Sequence, residues 1–202
     1  MSDIENIPVE MKQHDIFCCW KEERRNGKKT KAPYNARTGS YARPNDLSTF
    51  CSYHEAVKVM HQYDGIGFIV SHVICAIDLD DCVNEVGELN EIAQNVIDYF
   101  SNCYIEKSPS GRGLHIYFKA SNYTYDTATY YINNRKLDIE VYIAGVTKHF
   151  LTLTGDVFQD EKLEDMTDTL PQFLETFMKR PSIVTQNDLD KAVSYLSEES
   201  VI

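Results

Sequence analysis

Residues 73–81 read VICAIDLDD, and the organisation of the chain follows from them. Val73 to Ile77 is a short, wholly apolar run, the length of a buried strand. It ends in three acids around one leucine. Strand side chains alternate, so Asp78 and Asp80 are expected on one face, ~6.5–7 Å apart along the backbone, with Leu79 turned into the core. Two carboxylates that converge on one spot repel unless a cation lies between them. Hard oxygen ligands favour Mg²⁺ or Mn²⁺. The plainer explanation is an acidic strand exit, with Asp80 or Asp81 capping the next turn. The pattern alone does not exclude it.

Working outward, Gly65 to Val70 reads as a second buried strand. The Ser71-His72 pair between the two runs predicts a tight turn and a hairpin. Ile16 to Trp20 is a short strand. Residues 26–39 are rich in turn formers and predict a hairpin or loop. A helix is expected from Ser48 or Ser52, with Ala56, Val57, Val59 and Met60 as its apolar stripe. Downstream, residues 87–100 carry Leu89, Ile92, Ala93, Val96, Ile97 and Phe100 on one helical face. A strand opens at Tyr104-Ile105-Glu106, SPSGRG (108–113) is a loop, and Leu114 to Phe118 is a strand. Residues 121–134 are polar and rich in tyrosine, and the pattern assigns them no element. Leu137 to Tyr142 and His149 to Leu153 are two further strands. Residues 169–180 and 187–197 read as helices, the second with a capping-box start at Thr185. Strands and helices mixed in this order predict an α+β fold.

At 202 residues the chain has room for one or two domains, and 43% hydrophobic residues suffice for a real core. The start has no apolar signal region, and no run reaches the length of a membrane span. The six cysteines contain no CxxC pair and predict reduced thiols in a cytoplasmic protein. Zinc-site spacing is missing too. The net charge of -11 argues against a general polyanion binder. Its distribution is uneven. Residues 21–43 carry eight basic residues opposed only by Glu22 and Glu23, whereas residues 155–202 are strongly acidic. The basic stretch is either a solvated loop or a local polyanion contact.

Three more features bear on chemistry. In Ser108-Pro109-Ser110-Gly111-Arg112-Gly113-Leu114-His115, two glycines let backbone N–H groups approach an anion, Ser110 adds a hydroxyl, and His115 leads into a strand. On Leu137–Tyr142, alternation puts Asp138, Glu140 and Tyr142 on one face, and Glu140 is a candidate third metal ligand. Lys148-His149 precedes a strand, where a cation can neutralise a triphosphate. Each feature has a plain surface explanation. Together they form an ordered set, with three carboxylates (Asp78, Asp80, Glu140) for two cations and a phosphate cradle. That is the equipment of two-metal nucleotidyl transfer.

These residues resemble the archaeo-eukaryotic primase superfamily, in particular the primase-polymerases (prim-pols) of phages, plasmids and integrated mobile elements. The family's D-x-D matches Asp78 and Asp80. Its small-x-His matches residues 110–113 with His115, and its hydrophobic-acid motif matches Ile139-Glu140. Trp20, K-x-K-x-P-Y at 29–34, G-I-G-F at 65–68 and T-L-T-G at 152–155 are similar as well. The likeness covers roughly residues 15–155. Glu140 stands where many members have Asp.

The resemblance implies an RRM-like palm with a small N-terminal α/β unit in a catalytic domain over 1–155. Residues 156–202 are then expected to be an acidic helical extension. It implies a DNA primase or DNA polymerase with two Mg²⁺ or Mn²⁺ ions on Asp78, Asp80 and Glu140. Nucleoside triphosphate would be bound by Ser110, Gly111, Gly113 and His115. Lys29, Lys31 and Arg112 are expected on the triphosphate or the template backbone, and Lys148 and His149 on phosphate or sugar. Its partners would be a single-stranded or primed DNA template and a replicative helicase. No Walker A sequence is present, so the chain is expected to be an excised domain or a stand-alone relative. Two alternatives stand beside this reading. One is a palm kept for binding nucleic acid or a partner without catalysis. The other, weaker, is a rolling-circle type HUH nuclease, whose paired histidine is replaced here by Tyr117.

Overall fold

A computed structural model describes residues 3–121 and 123–181. The helix expected at 187–197, with its cap at Thr185, lies outside them. One sheet comprises β1 (Phe17–Arg25), β2 (Lys28–Tyr34), β3 (Gly65–Ile69) and a later strand, β9 (Phe150–Leu153). Its order is β2-β1-β3-β9. The other sheet comprises β4 (Ile74–Leu79), β5 (Tyr104–Lys107), β6 (Leu114–Lys119), β7 (Asn133–Asn134), β8 (Ile139–Tyr142) and β10 (Val157–Gln159). Its order is β10-β5-β6-β4-β8-β7. Every strand pairing in both sheets is antiparallel. The fold is thus α+β, mostly antiparallel sheet with few helices.

The basic segment is not a loose loop. Asn26 (φ 50°) and Gly27 (φ 78°) place two successive residues in the left-handed region, which matches a two-residue turn to the strand twist. β1 and β2 therefore pair along seven residues.

The hairpin expected between Gly65–Val70 and Val73–Ile77 does not form. β3 pairs with β1 and β9, whereas β4 pairs with β6 and β8. The turn at 71–73, with His72 at φ 56°, hands the chain from one sheet to the other. Short connections usually join paired strands, and here two apolar runs each bury both faces elsewhere.

Helices α1 (Val9–Lys12), α2 (Tyr53–Val59), α3 (Glu91–Tyr99) and α4 (Leu170–Phe173) cover the sheets, and α4 widens into a looser turn through Met178. Ser52 begins α2 with a reciprocal capping box to Glu55, which decides between the two serines. Asn90 caps α3, so that helix starts later than the 87–100 pattern suggests. Residues 84–88 first close a turn on Asn84, which accepts from the Glu88 N–H.

Two apolar clusters hold these layers together. The first joins the two sheets, α2 and the N-terminal segment, with Phe17, Phe68, Tyr104, Tyr117 and Leu151 at its centre. The second lies on the opposite face of the six-stranded sheet, where Ile77, Leu79, Ile116 and Val141 meet α3 and α4. The N-terminal unit is completed by β9, which arrives 80 residues after β3 by chain number. Residues 156–181 pack against the sheets. β10 pairs with β5, and Leu163, Leu170, Phe173 and Met178 are buried in the cores.

All six cysteines are free and buried. Among the described residues, no helix is long and apolar enough to cross a membrane.

Candidate functional site

The site is built on one row of the six-stranded sheet. Asp78 on β4 stands opposite His115 on β6 and opposite Glu140 on β8. The row continues to Glu106 on β5 and to Asn133 on β7. Directly opposed residues of an antiparallel sheet share a face and bring their Cβ atoms ~4.5–5.5 Å apart. Pairing therefore gathers on one face four titratable side chains from distant parts of the sequence. The next row, Tyr104, Tyr117, Ala76 and Tyr142, lies beneath it.

Asp80 joins the site by a different route from the one expected. β4 ends at Leu79, so Asp80 is the first residue past the strand. Its N–H donates to the Asp138 carbonyl (3.0 Å), which ties the end of β4 to the start of β8. Asp138 itself has φ 54° and precedes β8, so it does not share the face of Glu140 and Tyr142 by strand alternation.

Asp78, Asp80, His115 and Glu140 line one cleft of about 490 Å³, within the range of small-molecule sites. Lys29, Thr30 and Lys31 of β2 form its opposite wall, and His149 with Phe150–Thr152 closes it. Lys29 also pairs with Glu22 at 2.8 Å. A second, more apolar pocket, walled by Tyr41, Pro33 and Pro44, shares His149 and Phe150 with the cleft. The His149 ring stacks flat on Tyr142, with centroids 4.2 Å apart.

The electrostatics of the cleft are unbalanced. Burial, reinforced by Asp78 and Asp80, pushes the Glu140 carboxyl up to about 7. Asn133 and the Tyr142 hydroxyl donate to it. Burial, with Asp78 and Asp81, also raises Asp80. Asp78 Oδ1 is buried with no hydrogen-bond donor. The nearest ring nitrogen, His115 Nε2, is 3.5 Å away, too far for a strong hydrogen bond. Burial alone would lower the His115 imidazole, yet Asp78 and Glu106 outweigh it and the net shift is upward. Among the described residues, no three or more His, Cys, Asp or Glu side chains are drawn into a closed metal-ligand set. The donor chemistry nonetheless fits a hard divalent cation: three carboxylates, one with an orphaned oxygen and two held against their own repulsion.

The Ser/Gly loop is placed differently from the acids. Ser110, Gly111, Arg112 and Gly113 do not line the cleft. Their polar groups serve the loop itself. Gly111 N–H donates to Ser108 O, Arg112 N–H to Ser110 Oγ, and Gly113 N–H to Ser108 Oγ. Gly113 is needed for close approach, because a Cβ there would lie 2.6 Å from the Leu79 carbonyl oxygen. The loop thereby fixes the end of β4 from behind. Arg112 reaches Asp81 at 2.8 Å and faces a separate cavity formed by residues 81–90. Lys148 is exposed and does not line the cleft. Tyr117 is fully buried and donates to Glu106.

Sequence reasoning missed Glu106, Asn133, Tyr142 and Thr152 as parts of this site. The available signal for Glu106 was its position, a lone acid in an apolar strand directly before the Ser/Gly loop. No protein-family model matches the chain, and no curated protein matches it.

Proposed function

We propose that the protein is a template-dependent nucleotidyltransferase, a DNA primase, DNA polymerase or both, serving replication of a phage, plasmid or mobile element. The observation that carries this reading is the row that sets Asp78 opposite both His115 and Glu140, in a cleft faced by Lys29 and Lys31. In this reading the six-stranded sheet is the RRM-like palm of an archaeo-eukaryotic primase. The path β4–α3–β5 supports it, because β6 is inserted between the two outer strands as in split β-α-β palms.

Asp78, Asp80 and Glu140 would hold two Mg²⁺ or Mn²⁺ ions. When bound, such ions activate a 3′-hydroxyl and neutralise leaving pyrophosphate. The rest falls to the chain's own groups. Lys29 and Lys31 offer positive charge to a triphosphate lying across the acids. His115 is held rigidly by burial and presents Nε2 on the Asp78 side. The mostly apolar pocket behind His149 and Phe150, with Arg25 on its wall, suits a base or sugar. A primed or single-stranded DNA template, nucleoside triphosphates and a replicative helicase are the partners in this reading, in the cytoplasm.

A second reading, a palm kept only for binding, is favoured by one observation: the loop N–H groups at 111–113 are all consumed internally. One assay separates the two. Purified protein is given Mg²⁺ or Mn²⁺, nucleotides and either a primed template or an unprimed single strand, with Asp78→Ala/Asp80→Ala as control. Template-directed product that vanishes in the control supports the enzyme. Metal-dependent nucleotide binding without product supports the binding palm. Neither product nor nucleotide binding overturns the nucleotidyltransferase reading.

A further inference from the structure

Glu106 has a place in the site that neither the motifs nor the proposed reaction assigns. Among the described residues it is the only acid that is fully buried. Among the described residues no lysine or arginine pairs with it. Four donors converge on its carboxylate instead: Tyr117 Oη at 2.9 Å, Tyr104 Oη at 3.3 Å, Thr154 N–H at 3.1 Å and Gly155 N–H at 2.9 Å. Burying a charge is costly unless hydrogen bonds replace water, and here they do.

The direction of these bonds fixes a proton further along. Tyr117 has a single O–H, and the carboxylate at 2.9 Å is a better acceptor than the Thr152 carbonyl at 3.3 Å. The Tyr117 oxygen then turns a lone pair to His115 Nδ1, 3.0 Å away. Nδ1 must therefore carry a hydrogen. Nε2 is left as the ring atom that faces Asp78 and the cleft. The same carboxylate holds the two N–H groups at the end of β9, which gives the T-L-T-G segment at 152–155 a physical role.

We propose that Glu106 is a positioning residue for nucleotide binding: relayed through Tyr117, it fixes the Nδ1–H form of His115 and locks the ring and the end of β9 into one unit. The proposal rests on the nucleotide-binding reading given above. At metal sites, the hydrogen-bond partners that set a ligating histidine's tautomer are worth ~10–100-fold in metal affinity or activity, which gives the scale used here.

The test uses the full chain with Glu106→Gln and, separately, Tyr117→Phe. Two-bond ¹H–¹⁵N spectra at alkaline pH, where the ring carries one proton, report which nitrogen of His115 holds it. Affinity for ATP and dATP with Mg²⁺ is measured on the same samples. The wild type is expected to show the proton on Nδ1. In Glu106→Gln the amide can donate to Tyr117, which reverses the relay and moves the proton to Nε2. Nucleotide affinity is expected to change by ~10-fold or more, because the ring then presents an N–H instead of a lone pair to the cleft. A proton that stays on Nδ1, or an unchanged affinity, overturns the proposal. If Glu106→Gln fails to fold, Tyr117→Phe decides alone, because it cuts the relay and leaves Glu106 three donors. A wild type that binds neither nucleotide overturns the functional reading instead. The proton assignment needs no nucleotide, so the two failures are distinguishable.

Discussion

Glu140→Gln is predicted to stabilise the metal-free protein at neutral and alkaline pH while removing activity. Burial and the two aspartates raise this carboxyl from 4.5 to about 7. The unfolded chain therefore loses its proton first as pH rises. Below about 4.5 both states are protonated and the group contributes nothing. Between about 4.5 and about 7 stability is lost, and above that window the full cost remains. At about 1.36 kcal/mol per pKa unit, the cost is about 3 kcal/mol. This is an upper value, because the side chain is only partly buried. For a chain of this size it corresponds to about 6–12 °C in Tm. Glutamine keeps an acceptor for Asn133 and brings no charge. The assay is urea unfolding with EDTA on either side of the window, repeated with Mg²⁺. Wild type and variant should coincide on the acid side and diverge on the alkaline side, with the variant more stable. Mg²⁺ should close the gap by stabilising the wild type alone. A variant destabilised equally on both sides would refute the reasoning and leave Glu140 as an ordinary hydrogen-bond acceptor.

Lys29→Ala with Lys31→Ala should weaken Mg²⁺-dependent nucleotide binding by ~10-fold or more, the scale of a lost charged hydrogen bond. Lys148→Ala, outside the cleft, should leave it unchanged; equal effects in titration calorimetry would place the triphosphate elsewhere. Gly113→Ala forces a Cβ to within 2.6 Å of the Leu79 carbonyl and should cost ~1–3 kcal/mol in thermal unfolding. An unchanged Tm would mean that the end of β4 yields freely. Burial raises Cys19 and Cys103 to about 12 and Cys51, Cys75 and Cys82 to about 11. Native protein at neutral pH should therefore resist a thiol reagent that labels all six cysteines after unfolding. Rapid native labelling would contradict their burial.

The sequence made some of this legible and hid the rest for identifiable reasons. The apolar runs at 65–70 and 73–77 announce strands, because period and composition are local properties. Which strand pairs with which is not local, and the Ser71-His72 turn suggested a hairpin that the two-sheet core overrides. The acids were legible because each ends or interrupts an apolar alternation. Their meeting was not, since Asp78 and Glu140 are brought together only by the register of β4 with β8. The Ser/Gly loop looked like an anion cradle because glycine permits close approach. The approach made at Gly113 is to the Leu79 carbonyl instead. Glu106 was read only as part of a strand, and nothing in its neighbours revealed that Thr154 and Gly155, far along the chain, would supply donors to it.

Glu106 and Glu140 show how one residue type takes two roles on a single row of a sheet. They flank the His115–Asp78 pair from opposite sides, one on β5 and one on β8. Glu106 has four donors around its two oxygens and a histidine ring 3.6 Å away. Its charge is compensated by the protein. Glu140 has two donors and faces Asp78 and Asp80, so its charge is opposed. What it lacks is positive charge, and in the proposed function a hard cation would supply it. Removing the charge should therefore act with opposite sign at the two positions. Above the window Glu140→Gln should raise stability in EDTA. Glu106→Gln should lower it, because an amide leaves one of the four donors facing another donor. Two shifts of the same sign in parallel urea titrations would mean that donor count does not decide between anchor and site.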